Sequence, residues 1–371
     1  MKHSAIRRVV PVGAVVALML TAAACGGSKS SNNSAAARAS TSSGSSASGS
    51  AAAAKSMTDV TYLTDFLSNG TYSPMWYGIK LGYYKAQGIN LKIQYGTGSA
   101  TTSQAIASGK ADIGDAFSGT MAQAVAKGAP LESVGFFRAN GGWAFYCDKK
   151  LGISTLKQMA GHSVILPPGT PQASLYKGVL NAVGVSPDSV KIQSVPSSAE
   201  DSTYATGKAD CVGGTLGDAP NFLPLRASTV LPWSSGGFNG GGYNFFVTKS
   251  YLAANKQVIE GFLKATYQSI EASLKNPADA VAAFNAANPQ AKPDLTKQQW
   301  AAVKPEFCTK DMTQQGKMMG YQLPAAWSDV VSDLQKYASL PSSVQASSLF
   351  TNEFFDQDNV SSAACTSDIS G

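Results

Sequence analysis

The sequence predicts an α/β fold of two facing lobes, and three observations carry that expectation. Short runs rich in β-branched and aromatic residues alternate with amphipathic helical runs along most of the chain, the pattern of parallel sheets covered by helices. The chain also repeats itself. Lys92-Ile93-Gln94 recurs as Lys191-Ile192-Gln193, Ser99-Ala100 as Ser198-Ala199, and Gly109-Lys110-Ala111-Asp112 as Gly207-Lys208-Ala209-Asp210, in one order and at a shift of 98 or 99 residues. Finally, two aromatic extended segments, WAFYCD at 143–148 and YNFFVT at 243–248, flank the second copy where strands crossing between lobes would lie.

Taken in order, 59–66 reads as a strand, 74–86 as a helix that breaks before Gly88, 89–95 as a strand, 102–108 as a helix and 111–114 as a short buried strand. The second unit repeats this with a strand at 163–166, a helix at 172–183 ending near Gly184, a strand at 190–195, a helix at 199–205 and a strand at 209–214. Ligands of such sheets sit beyond the carboxyl ends of the strands, so two facing lobes make a cleft. Lobe one begins with 57–142, lobe two is 143–242, and 243–371 returns to lobe one. In that return, Ile259, Phe262, Leu263, Thr266, Ile270 and Leu274 share one helical face. Pro277, Pro289, Pro293, Pro305, Pro324 and Pro341 then cut the helical C-terminal segment into short pieces.

The 371 residues are 44% hydrophobic and 14% charged, a globular composition with room for two domains. The basic excess is small, 29 Lys and Arg against 23 Asp and Glu, and includes Lys2, Arg7 and Arg8 of the leader, which argues against a nucleic-acid partner. With only His3 and His162 in the chain, a multi-histidine metal site is disfavoured and neither metal nor cofactor is expected.

Residues 1–25 combine a charged start, an apolar run from Val9 to Leu20 too short to span a bilayer, and small residues ending at Cys25. This resembles the bacterial lipoprotein processing site, which implies a lipid on Cys25 and an extracytoplasmic location at the cell membrane. Residues 26–56 collapse to Ser, Ala, Gly and Asn and read as a flexible tether, reaching roughly 30 Å. Cys147, Cys211, Cys308 and Cys365 remain for an oxidising compartment, where two disulfides have three possible connectivities. Shared segments favour Cys147 with Cys211 and Cys308 with Cys365; a zinc site is the rival, though no C-x-x-C pair supports it.

The segments TDFLSNGTYSPMWYGIKLGYYKAQGINLKI (64–93), SGKADIGDAF (108–117), LGISTLKQMAGHSVILPPGT (151–170), TGKADCVGG (206–214) and the stretch from Trp327 to Phe355 ending in LFTNEFF carry a family resemblance. In their order over 59–355, they resemble the extracytoplasmic solute-binding proteins of ABC importers, in the family serving nitrate, sulfonates, taurine and thiamine-pyrimidine precursors. The resemblance implies a type II periplasmic-binding-protein-like fold with crossing hinge strands, closure over a small molecule and delivery to permease subunits by a monomer without cofactor. In the pyrimidine-binding branch, Asp65-Phe66, Asn69 and Gly82-Tyr83-Tyr84 occupy matching places, while Tyr72 stands where that branch has a histidine.

Aromatic faces at Phe66, Tyr72 and Trp76 could stack on a flat ligand while the Asp65 carboxylate accepts its N–H groups, with ordinary packing the alternative for Trp76. Gly98-Ser99, and Gly169-Thr170 with Gln172, open helices after strands, and their backbone N–H groups could receive a ligand or merely build turns. Asp115 and Phe117, and Thr215 and Asp218, follow the third strand of each unit. Trp143 and Trp233 lie by the presumed crossings, and the glycine-dense run 234–243 is a hinge, a lid or a loose loop. Arg138 would serve an anion or an interlobe salt bridge. The sequence therefore favours a solute receptor for a pyrimidine or related nitrogen heterocycle, rather than an enzyme. A sulfonate, taurine or nitrate receptor is the alternative, and an exported enzyme on the same fold the second.

Overall fold

The computed structural model describes residues 57–370 except Asp358. The leader, Cys25 and the tether over 26–56 lie outside the described residues. Among the described residues, ten strands form two five-stranded sheets. The first holds β1 (Thr58–Leu63), β2 (Ile89–Gln94), β3 (Ile113–Phe117), β4 (Leu131–Arg138) and, from far along the chain, β10 (Tyr243–Thr248), in the order β2-β1-β3-β10-β4. The second holds β5 (Trp143–Asp148), β6 (Ser163–Ile165), β7 (Lys191–Gln193), β8 (Cys211–Thr215) and β9 (Ser228–Pro232), in the order β7-β6-β8-β5-β9.

The two orders are the same topology. In each sheet three parallel strands are followed by an antiparallel strand that the chain enters just after crossing from the other lobe: β5 in the second sheet, β10 in the first. The repeated aspartates have equivalent jobs. Asp112 accepts the Thr61 N–H at 2.8 Å, and Asp210 accepts the Ser163 N–H at 2.8 Å. Each ties the start of a third strand to the first, the structural role expected for a residue at a strand start.

Helices cover the sheets: α1 (Ser73–Leu81), α2 (Tyr83–Ala86), α3 (Ser99–Ala107) and α4 (Ser118–Ala126) in lobe one, and α5 (Pro171–Ala182), α6 (Glu200–Ala205) and α7 (Ala219–Phe222) in lobe two. The C-terminal segment supplies α8 (Lys249–Ala254), α9 (Lys256–Lys275), α10 (Pro277–Ala287), α11 (Pro293–Val303), α12 (Lys310–Gln314), α13 (Pro324–Tyr337) and α14 (Glu353–Asp356). Several bounds differ from the sequence reading. The expected single helix over 74–86 is broken at Gly82, which adopts φ 77° and caps α1 with its N–H. The third strand starts at Ile113, because Gly109 to Asp112 form the turn that precedes it. Pro277, Pro293 and Pro324 each occupy the first turn of a helix, where the missing N–H costs nothing.

On α9, Ile259, Phe262, Leu263, Thr266 and Ile270 are buried, and Phe262 meets Tyr62, Tyr84 and Phe245. The structure joins Cys147 to Cys211, directly opposite each other on β5 and β8, and Cys308 to Cys365. The glycine-dense return is pinned: Phe238 is buried against Trp233, and the Gly240 and Gly242 carbonyls accept N–H groups of Gly119 and Ser118.

The lobes meet. The Ala100 N–H donates to the Gly169 carbonyl at 2.9 Å, Gln299 Nε2 to Asn221 Oδ1 at 2.9 Å, and Asn181 Nδ2 to the Tyr337 carbonyl at 2.9 Å. A Cβ on Gly98 would stand 2.3 Å from the Gly169 carbonyl oxygen, so only glycine permits this approach of the two backbones.

Candidate functional site

The carboxyl ends of the parallel strands open into one cavity of about 250 Å3 between the lobes. Asp65 and Phe66 reach it from the end of β1, Gln172 from beyond β6, Glu200 from beyond β7, and Thr215 from the end of β8.

The lobe-one wall is a bonded network. Asp65, 3% exposed, accepts the Tyr72 hydroxyl at 2.6 Å and the Ser99 hydroxyl at 3.3 Å. Its own N–H donates to Asp115 Oδ1 at 3.1 Å, which also receives the Tyr62 hydroxyl at 2.6 Å. Burial raises the Asp65 carboxyl, while Arg138 and the Tyr72 bond oppose the rise. Asp115, beneath it, is raised well above the carboxylate range by burial and by the Asp65 charge. Arg138, at the end of β4, pairs with Glu306 and lies over the Tyr243 ring, 3.9 Å from its centroid. Both ions are buried; Glu306 is pushed up to about 7 by that burial, with Arg138 pulling the other way. Tyr72 stacks on Phe137. Asn69 caps a short turn, accepting the Thr71 N–H at 2.9 Å and donating to the Leu67 carbonyl at 3.1 Å.

Within the lobe-one network Asp115 Oδ2, Arg138 Nε and Glu306 Oε1 have no partner; on the lobe-two wall the unpartnered atoms include acceptors of residues that line the cavity. Thr170 and Pro171 start α5 and so aim Gln172 at the cavity. Gln172 Nε2 donates to the Gly213 carbonyl at 3.3 Å, but its Oε1 is buried without a partner. Glu200 opens α6, is 4% exposed, and likewise has Oε1 buried without a partner. Burial raises its carboxyl well above the ordinary range, and Asp218 and Asp201 add to the rise. Asp218 accepts the Thr215 N–H at 2.7 Å and hydroxyl at 2.9 Å, closing a capping box, and burial raises it too. Asp201 sits exposed on the rim. Trp143 completes the lining at the crossing, its Nε1 unpartnered.

Of the residues singled out from the sequence, Asp65, Phe66, Asn69, Tyr72, Arg138, Trp143, Gln172, Thr215 and Asp218 line the cavity. The others do not, for separate reasons. Trp76, on α1, donates its indole N–H to the Tyr95 hydroxyl at 2.9 Å. Ser99 and Asp115 stand behind Asp65, Ser99 also accepting the Phe117 N–H at 3.0 Å. Phe117 and Trp233 are core residues packed on Trp143. Gly98 and Gly169 form the backbone contact between lobes, and Thr170 caps α5. Arg138, which does line the cavity, pairs through Nη1 with Glu306, the salt-bridge role the sequence offered beside the anion role, and its Nε has no partner.

Glu200, Asp201, Asn221, Tyr243 and Gln299 line the cavity without having been singled out as contacts. For Glu200 a signal existed: Ser198-Ala199 is the repeat's copy of Ser99-Ala100, and Glu200 follows it directly. Gln299 gave none, because it reaches the cavity from α11 through tertiary packing alone. In sum, four carboxyls line the site against one guanidinium already paired, with the aromatic rings of Phe66, Tyr72, Trp143, Phe222 and Tyr243 around them.

The model of the NMT1/THI5-like family matches residues 69–280, more than half of the chain. The chain belongs to this family. Among curated relatives of this NMT1/THI5-like chain is the riboflavin-binding protein RibY of Chloroflexus aurantiacus, 21% identical over 81% of this chain and 86% of that protein. Solved structures with the same fold include the alkanesulfonate-binding protein SsuA of Xanthomonas axonopodis pv. citri bound to MOPS. It has a TM-score of 0.62 and 13% identity over 80% of this chain and 99% of that one. The periplasmic nitrate-binding protein NrtA of Synechocystis PCC 6803 has a TM-score of 0.63 and 10% identity, over 84% and 94%. The NMT1/THI5-like chain thus has the α/β architecture of periplasmic binding proteins. No helix among its described residues is long and apolar enough to cross a membrane.

Proposed function

We propose that this protein is an extracytoplasmic solute receptor that captures a small nitrogen heterocycle between its lobes and delivers it to the permease of an ABC importer. The observation that carries the reading is the cavity itself: both lobes line it, and it lies at the strand ends where ligands of such sheets bind. Binding would be coupled to closure, ligand shifting the population toward the form in which Ala100 meets Gly169. No covalent step is needed, and the receptor acts as a monomer.

Aromatic faces and a surplus of acceptors support a flat ligand rich in N–H groups over a sulfonate or nitrate, since the one guanidinium in the wall is held by Glu306. The riboflavin-binding relative, which by its name takes a flat nitrogen heterocycle, leans the same way. Lipidation of Cys25 would hold the receptor at the membrane surface, and Cys25→Ala would move it to the soluble fraction.

Native mass spectrometry of the full chain after exposure to a metabolite mixture tests the reading. One nitrogenous solute per chain, absent after Asp65→Ala, is the expected result. A chain that retains no solute, or retains solutes indiscriminately, overturns it.

A further inference from the structure

We infer that the ligand is bound as a cation, a protonated amine or amidine presented to the lobe-two wall, with Glu200 and Gln172 as its acceptors. The inference rests on the receptor reading and deepens it by fixing the ligand's charge.

Two observations carry it independently. The first is the unmade hydrogen bonds: Glu200 Oε1 and Gln172 Oε1 are acceptors on residues 4% and 5% exposed, both lining the cavity and both without a partner. A buried polar group left unpaired is costly. Both acceptors call for N–H or O–H donors, which an anion such as nitrate does not bring; the unpartnered donors of the lining, Trp143 Nε1 and Arg138 Nε, are left for acceptor atoms elsewhere on the ligand. The second is the charge inventory. Asp65, Glu200, Asp201 and Asp218 line the cavity, and Arg138 is the sole cation among the lining residues, already paired with Glu306. The charged groups that act on Glu200 are both acidic: Asp218 from the turn after β8 and Asp201 from α6. Lys292 acts only on Asp201 at the rim, and Arg138 acts on Asp218. A cation entering this wall turns mutual repulsion into attraction.

A consequence follows for protons. Crowded, buried carboxyls hold protons in the empty site, and the raised Glu200 and Asp218 agree with this. An arriving cation favours their ionised forms, so binding expels protons and affinity rises with pH until the ligand itself deprotonates.

The test uses paired probes that differ in charge but little in shape: benzamidine against benzamide, and benzylamine against benzyl alcohol, with methanesulfonate and nitrate as anions. Thermal unfolding of the full chain, purified in mild detergent, is followed by tryptophan fluorescence, and calorimetry in buffers of different ionisation enthalpy counts protons. The cationic member of each pair should bind at least about tenfold tighter than its neutral twin, as a charge-assisted bond implies, and should release protons. Glu200→Gln, which keeps the shape of the side chain, should bring the pair near parity, and Asp201→Asn should narrow the gap less. Neutral twins binding as tightly as the cations, or a preference for either anion, overturns the inference while leaving a solute receptor standing. Binding of the cations with proton uptake, or with the same preference in Glu200→Gln, overturns it as well. No binding by any probe in the millimolar range also overturns it, and the receptor reading is then judged separately by the solute that mass spectrometry retrieves.

Discussion

The two walls of the cleft come from equivalent sheets but are finished differently. On the lobe-one side, Asp65 is held by Tyr72 and Ser99, Asp115 by Tyr62, and Arg138 by Glu306 and the face of Tyr243. On the lobe-two side, Glu200 and Gln172 each keep a buried acceptor without a partner. Lobe one is not free of unmade bonds, since Asp115 Oδ2, Arg138 Nε and Glu306 Oε1 are also buried without partners, but Asp115 and Glu306 stand behind the lining and Arg138 Nε is a donor, so the open acceptors on lining residues both belong to lobe two. Repeating a topology has therefore not repeated the chemistry of the wall: the acceptors that the proposed cation would meet lie on lobe two.

Breaking the lobe-one network should have the largest effect. Arg138→Ala strands Glu306 in the interior and should cost about 3–5 kcal/mol in denaturant unfolding. The double substitution Arg138→Met with Glu306→Leu should recover most of that loss, because it buries no unpaired charge. Asp65→Ala should cost about 2 kcal/mol, leaving the Tyr72 hydroxyl without its acceptor; Asp65→Asn, which can still accept, should cost less. If both changes were harmless, lobe one would not be the fixed wall described.

The lobe-two wall should respond in the opposite sense. The Glu200 carboxyl is raised well above its ordinary range in the folded protein, so its contribution favours folding below that range and is lost as pH rises above it. Glu200→Gln should then stabilise the ligand-free chain at pH 7–8, on the order of 1 kcal/mol, and do little near pH 4. Melting temperatures across that pH range check the sign. The smallest effect belongs to Trp76→Phe, which loses one bond to Tyr95 outside the cavity and should cost under about 1 kcal/mol with affinity unchanged.

How much of this the sequence disclosed follows the same division. The alternation of elements, the repeated Gly-Lys-Ala-Asp turns and the crossing segments were legible because each rests on local chemistry, as Asp112 and Asp210 illustrate. Asp65 and Tyr72 were legible through family resemblance, since they lie on one continuous strand-turn-helix. Gln299 was not, because it enters the cavity from a helix more than two hundred residues away from Asp65 in the chain. Glu200 was passed over because a glutamate in the first turn of a helix is ordinary there; burial, which only the fold supplies, makes it unusual. The salt-bridge role of Arg138 was legible but its partner was not, Glu306 being invisible until α11 and the turn after it pack across the end of β4.

The central claim is that ligand is captured by closure of the lobes on one another. Hydrogen exchange at Ala100 reads this directly. As the second residue of α3 its N–H has no acceptor within the helix, and its bond is to the Gly169 carbonyl of the other lobe. With the solute recovered by mass spectrometry at saturation, a peptide covering Ala100 should gain protection at that amide, and should lose it when the solute is removed. Protection that is the same with and without solute would mean that the lobes do not open and close around the ligand, and would contradict the account.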